Sequence, residues 1–325
     1  MKQGEQIEAI RLNAGQAADV WERSSEASAF TRPDHLQRLA DEVDWWGVKR
    51  GSEIVAAWPF VRPGRGGEIG LPPFCYYLGP FFVHSFRERD RYVESWSGYT
   101  AAFSAMVGAV VDAYPRFQFS LPLGNTDLRV LQWWNHDHPE QSGFRIVPRY
   151  TARIDLSRFR DESALLGSFA SRRRRLIRKV ASAPPRLVND VNTARLVELD
   201  QEAITRTGGV MTTERETALV RVLDLVRSGG GAIIGVIPAG SSRVEAAVAL
   251  LDGPRESNGI LCASSEQWRE DGLTVWSIWL ALLRARSIGK RWFDFNGANS
   301  PGRALDKHLY SAEEMLYFNC IFERS

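Results

Sequence analysis

The chain has 325 residues, 44% hydrophobic and 25% charged, the balance of an ordinary soluble protein and enough for two domains of about 150 residues. A formal net charge of only +2 excludes a general nucleic-acid coat, although a local basic patch remains open. The first residues, MKQGEQIEAIRLN, lack the apolar core of a signal peptide, and no apolar run reaches the length of a membrane span. A cytoplasmic protein with no membrane partner is therefore expected.

Residues 7–12 read as a strand and 14–25 as a helix. A second helix opens at Thr31-Arg-Pro-Asp34, with Pro33 in its first turn and Leu36, Leu39 and Val43 on one face. Residues 45–49 and 53–61, joined by Gly51-Ser52, form a hairpin. The Pro/Gly-rich stretch 62–70 reads as a loop and 74–83 as a strand. A long amphipathic helix follows over 88–113, then a strand over 117–121.

The later part repeats this order. Residues 231–237 and 244–251 form a hairpin, 259–264 a strand, 273–288 a helix, 292–296 a strand and 315–322 a final strand. FQFSLPLGN from Phe117 and FDFNGANSP from Phe293 fall at the same place in the two halves, as do EIVAAWPF from Glu53 and VEAAVALL from Val244. Two copies of one α/β unit account for this better than a short-period solenoid. The expected domains are 1–150 and 151–325.

Between the hairpins, residues 153–227 read as predominantly helical. Their centre, Ser171-Arg-Arg-Arg-Arg-Leu-Ile-Arg-Lys179, puts Arg174 and Arg178 on one face and Arg172, Arg175 and Lys179 on an adjoining one. Leu176, Ile177 and Val180 face inward. Pro184-Pro185 ends this basic helix, which occupies 171–182. So many adjacent cations call for anions, and guanidinium forks suit phosphate. A solvated face paired with distant acids is the alternative.

Asp294, Asn296 and Lys307 gather at the end of a strand and in the loop beyond it, where mixed α/β sheets commonly bind ligands. Gly297 breaks the strand, and Pro301-Gly302 opens a short helical turn carrying Lys307. The plain alternative is a half-buried strand and loop with one solvated lysine. In the first copy the register of Lys307 falls on Leu131, so chemistry carried by that amine belongs to the second copy. Arg269, Gly272 and Thr274 precede the helix at 273, where backbone N–H groups attract phosphate and glycine permits close approach; an N-cap by Asp271 is the competing reading. Cys75, Cys262 and Cys320 sit in strand-like apolar runs and read as buried thiols. His136 and His138 flank Asp137 without a third ligand nearby, so no metal is expected.

Three stretches together resemble the FemAB-like branch of the GNAT acyltransferase superfamily, which includes BioF2-like and CelD-like acetyltransferases and aminoacyl-tRNA-dependent peptidyltransferases. One is the basic helix with Arg174 to Lys179, matching R-R-x-x-R-K. The second is FDFNG at 293–297 followed by DKHLYSAE at 306–313, against a family pattern of F-K-x-x-F-G-A-E. The third is EIVAAWPF with LPPFCYYLGPFF in the first half. Asp306, Tyr310 and Ser311 stand where that pattern has an aromatic residue, Phe and Gly. Arg269-x-x-Gly272-x-Thr274 resembles the pyrophosphate loop of the superfamily, with Thr at its last position.

The resemblance implies an α/β (α+β) protein of tandem GNAT-like domains, each a mixed, mostly antiparallel sheet flanked by helices. It also implies an N-acyltransferase moving an acyl group from acyl-CoA, such as acetyl-CoA, to an amine of a small molecule or sugar. Lys307 would stabilise the oxyanion, Asp294 or a water on Asn296 would take the amine proton, and Tyr310 or Tyr317 would protonate the leaving group. Arg172, Arg174, Arg175, Arg178 and Lys179, with Arg269, Gly272 and Thr274, would hold the donor's phosphates. Two other functions stay open: an aminoacyl-tRNA-dependent transferase with tRNA as partner, and a non-catalytic module binding a phosphorylated ligand or RNA.

Overall fold

The computed structural model describes residues 6–62, 68–87, 92–138 and 140–324. The chain divides into two compact units, residues 1–149 with 316–325 and residues 150–315. The last ten residues thus cluster with the first unit, whereas the sequence reading ended the second domain at 325.

The first unit begins with β1 (Ile7–Leu12), α1 (Ala14–Glu22), α2 (Pro33–Leu39), β2 (Glu42–Arg50), β3 (Glu53–Arg62) and β4 (Phe81–Phe82). The four strands form one antiparallel sheet in that order. Next come α3 (His84–Arg87), α4 (Tyr92–Ala113), β5 (Arg116–Ser120) and α5 (Arg129–Gln132). Asn13 starts α1 with a reciprocal capping box to Gln16. The aromatic core centres on Trp58, packed against Phe60, Phe103, Phe117 and Phe119.

Two expectations change here. Val43 lies in β2 and not on α2. Of the strand expected over 74–83 only Phe81–Phe82 forms. Phe74 and Tyr77 take positive φ, and Gly79 presses on the Ser120 carbonyl so closely that a Cβ would lie 2.2 Å from its oxygen. Parts of the loop expected at 62–70 and of the helix expected from 88 fall outside the described residues.

β6 (Phe144–Asp155) leads into the second unit, which the sequence reading had not marked as a strand. The basic segment then folds as α6 (Glu162–Ser168), α7 (Ser171–Ser182), β7 (Arg186–Val188), α8 (Thr193–Thr205) and α9 (Thr213–Leu225). β8 (Gly231–Ile237), β9 (Ala246–Asp252), β10 (Glu256–Ser264), α10 (Leu273–Ser287), β11 (Trp292–Asp294), α11 (Pro301–His308) and β12 (Glu313–Glu323) complete the chain. The end of β6 pairs with β11, and the sheet continues β11-β10-β9-β8-β7. Every pairing there is antiparallel except β10 with β11, which is parallel. α10 packs Val275, Ile278, Trp279 and Leu282 into a core with Ile234, Val248 and Leu250.

The duplication read from the sequence is visible in the element order. β1-β2-β3-β4, then α4 and β5, match β7-β8-β9-β10, then α10 and β11, with a helix pair inserted after the first strand each time. Each half is a mixed α/β unit with a mostly antiparallel sheet. Among the described residues no helix is long and apolar enough to cross a membrane.

Candidate functional site

β10 and β11 pair only over Glu256↔Trp292, Ser257↔Phe293 and Asn258↔Asp294. β10 then runs on to Ser264 while the chain after Asp294 turns away. Asn296 makes that turn with φ +51° and Gly297 with φ +40°. Asn296 also donates its Nδ2 to the Gly259 carbonyl at 3.0 Å, closing the point where the two strands part.

Asp294, 1% exposed, accepts from Thr151 Oγ1 at 2.6 Å and from the Asn296 backbone N–H at 2.8 Å. The Arg153 guanidinium lies 3.5 Å from its other oxygen. Its carboxylate therefore ties β6 to the loop, a positioning task. Lys307 on α11 donates Nζ to the carbonyls of Asn296 and Gly297. Burial lowers its pKa to about 8 against the opposing pull of the Asp294 charge.

Tyr310 is fully buried, and its hydroxyl has no hydrogen-bond partner. Burial holds its pKa well above the ordinary tyrosine value, and the Arg173 guanidinium 4.8 Å over the ring opposes this. Ser311 adopts φ +59°, so the serine that stands in place of glycine keeps a glycine-like backbone. Asp306 pairs with Arg173.

Arg173, Asp306 and Tyr310 line a cavity of about 780 Å³ that opens between α7, the start of α10 and α11, whereas Asp294, Asn296 and Lys307 are not among its lining residues. Arg172, Arg175 and Lys179 line it from α7, and Arg269, Gly272 and Thr274 from the turn into α10. Among the described residues Arg172, Arg175 and Arg269 have neither an ion-pair nor a hydrogen-bond partner. Gly272 is itself the N-cap of α10, at φ +80°, and no side chain caps the helix. Asp271, the competing cap, lies 3.6 Å from Lys179 instead. Uncapped N–H groups, the positive end of α10 and unpaired guanidinium groups all favour an anion here.

The remaining candidates lie elsewhere. Arg174 donates to the carbonyls of Gly167 and Phe169, both at 2.9 Å, and Arg178 is exposed; neither lines the cavity. Tyr317 belongs to the first unit, where its ring meets Tyr77 edge-on at 5.1 Å. His136 and His138 are exposed, and among the described residues no group of three or more His, Cys, Asp or Glu side chains could hold a metal.

Sequence reasoning passed over Arg173 and Cys262. Arg173 shares the inward face of Ile177 and Val180 at helical spacing, a signal present in the sequence. Cys262 was expected to be buried, but its side chain is exposed.

No protein-family model matches the chain, and no curated protein sequence does. Solved structures do. FemX aligns over 96% of both chains with a TM-score of 0.65 at 11% identity. A tandem GNAT protein from the clavulanic acid biosynthesis pathway covers 98% of both chains, with a TM-score of 0.58 and 14% identity. L-PGS from Bacillus licheniformis aligns over 95% of this chain and 91% of its own, with a TM-score of 0.53 and 12% identity.

The chain has the tandem GNAT fold. The cavity and its cations belong to the second unit, whose β10 and β11 pair over only three residues.

Proposed function

We propose that the protein is an acyltransferase that moves an acyl group from acyl-CoA to an amine of a small molecule or sugar. The observation that carries this reading is the cavity at the start of α10, where an uncapped helix and three unpaired arginines face one space. Such a site suits the phosphates of a CoA-type donor. The similarity in fold to FemX and to a tandem GNAT protein supports a transferase of this general kind.

The chemistry follows from groups nearby. The amine nitrogen attacks the thioester carbonyl, the C–S bond breaks, and the amine proton passes to solvent. Lys307, held on two loop carbonyls, supplies positive charge for the developing oxyanion. Tyr310, kept protonated by its burial, offers its unpartnered hydroxyl as a hydrogen-bond donor to the departing thiolate, which takes its proton from solvent. Asp294 and Asn296 set the loop that presents Lys307.

One observation favours the second reading, transfer from an aminoacyl-tRNA. Arg178 stands exposed outside the cavity, where it extends the basic face of α7 beyond what a small donor needs. Purified protein is to be incubated with acetyl-CoA or charged tRNA and a panel of amines, with products read by mass spectrometry. Acetylated amine supports the proposal. Amino-acid transfer abolished by RNase supports the second reading, and CoA binding without turnover supports a binding module.

A further inference from the structure

α11 is held with little help from the core. None of its eight residues is buried, and Leu305 stands 64% exposed on it. Ala304 is its partly buried contact with the core of the second unit. A short helix with so little apolar surface in contact takes its position from polar links. Two neighbouring residues supply them to different elements. Lys307 bonds the carbonyls of Asn296 and Gly297, and Asp306 pairs with Arg173 on α7.

Just past α11 the chain meets the start of α7 again. The Ala170 N–H donates to the Leu309 carbonyl at 3.0 Å, Ser311 Oγ donates to the Ser168 carbonyl, and the Tyr310 ring meets Phe169 edge-on at 5.4 Å. Arg173 is the buried charge of this seam. It is 8% exposed, its guanidinium lies 4.8 Å over the Tyr310 ring, and its Nε has no hydrogen-bond partner. A buried guanidinium with one carboxylate and an idle donor adds little net stability, because desolvation offsets most of the attraction. What such a pair does specify is register: Asp306 meets Arg173 only with α11 at one place along α7. Arg172 and Arg175, on the same turn, line the cavity. Asp306 stands where the FemAB-like pattern has an aromatic residue, and an aromatic side chain could not accept from Arg173 in this way.

We propose that Arg173 is a positioning residue for the transfer reaction. Through Asp306 it fixes α11, and with it Lys307 and the loop at 296–297, against the helix that carries Arg172 and Arg175. This rests on the acyl-CoA reading above and adds how the donor-binding cations and Lys307 are kept in one register.

The test replaces both partners, Arg173→Met with Asp306→Leu, in the full chain. One charge of each sign leaves the cavity wall, and apolar groups take their place. CoA affinity by calorimetry stays within about threefold, since Arg172, Arg175 and Arg269 remain. The kcat for acetyl transfer falls about 30-fold at unchanged KM. Amide exchange over 296–309 speeds up about tenfold, while β9 and α10 keep their protection. Arg173→Lys alone, which keeps the charge opposite Asp306, stays within about fivefold of the wild-type kcat. Unchanged exchange over 296–309 in the double variant overturns the proposal, whether or not the protein transfers an acetyl group. Faster exchange at wild-type kcat makes the seam structural only and overturns it as well. A loss of CoA affinity as large as the loss in kcat assigns Arg173 to ligand binding instead. A wild-type chain that binds no CoA overturns the acyl-CoA reading, and the exchange comparison then still decides the seam. If the double variant fails to fold, Asp306→Asn, which keeps the shape and removes the charge, is compared in the same way.

Discussion

Raising the pH neutralises Lys307 without dismantling the loop it holds. A neutral amine keeps two N–H groups, enough for the carbonyls of Asn296 and Gly297 that Nζ already bonds. Only the charge is lost. With the pKa at about 8, about one tenth of the protein keeps the cation at pH 9. If the cation stabilises the oxyanion, kcat falls about tenfold per pH unit above that point. The acceptor amine gains reactivity over the same range, so the quantity to measure is the ratio of wild-type to Lys307→Arg rates with one amine. Arginine stays charged, and the ratio should fall above pH 8. Stability runs the other way. Between about 8 and the ordinary lysine value of 10.5 the unfolded chain holds a proton that the folded chain has released, so stability rises with pH there. A drop in rate therefore cannot come from unfolding at this residue. A ratio that is flat or rises through pH 8 would refute the cationic role.

Three substitutions probe the neighbours. Tyr310→Phe removes a buried hydroxyl that has no partner, so thermal stability should hold or rise by about 1 kcal/mol while kcat falls about 100-fold; melting curves and steady-state rates check both signs. Gly272→Val forces a branched side chain to φ +80° with its Cβ 3.3 Å from Leu176, and should cost about 1–3 kcal/mol in denaturant unfolding and weaken CoA binding. Asp294→Asn leaves the Arg153 guanidinium without its buried carboxylate and should cost about 2–3 kcal/mol, with activity falling through displacement of the loop; unchanged urea midpoints would count against that tie.

Much of this architecture was legible because it rests on local pattern. The β2–β3 hairpin announces itself by Gly51-Ser52 between two apolar runs, and α7 by its inward Ile177 and Val180. β6 was not read as a strand: its charged and apolar residues alternate at strand period, but Pro148 falls inside the run and argues against one, and its pairing decides. The site was half legible. Residue types singled out Lys307, Asn296 and the turn at Gly272 as candidates, but which arginines face the cavity depends on the rotation of α7 against α10 and α11. That rotation sends Arg172 and Arg175 to the cavity, Arg173 to Asp306 and Arg174 to the carbonyls of Gly167 and Phe169.

The central claim is that the cavity of the second unit holds a phosphorylated donor. It is tested most directly by calorimetric titration of CoA into the protein and into Arg172→Glu/Arg175→Glu across a salt series. The account predicts one site per chain, affinity that falls as salt rises, and a loss of about 100-fold or more in the variant with a flattened salt dependence. Equal affinity for the two proteins at every salt concentration would contradict it.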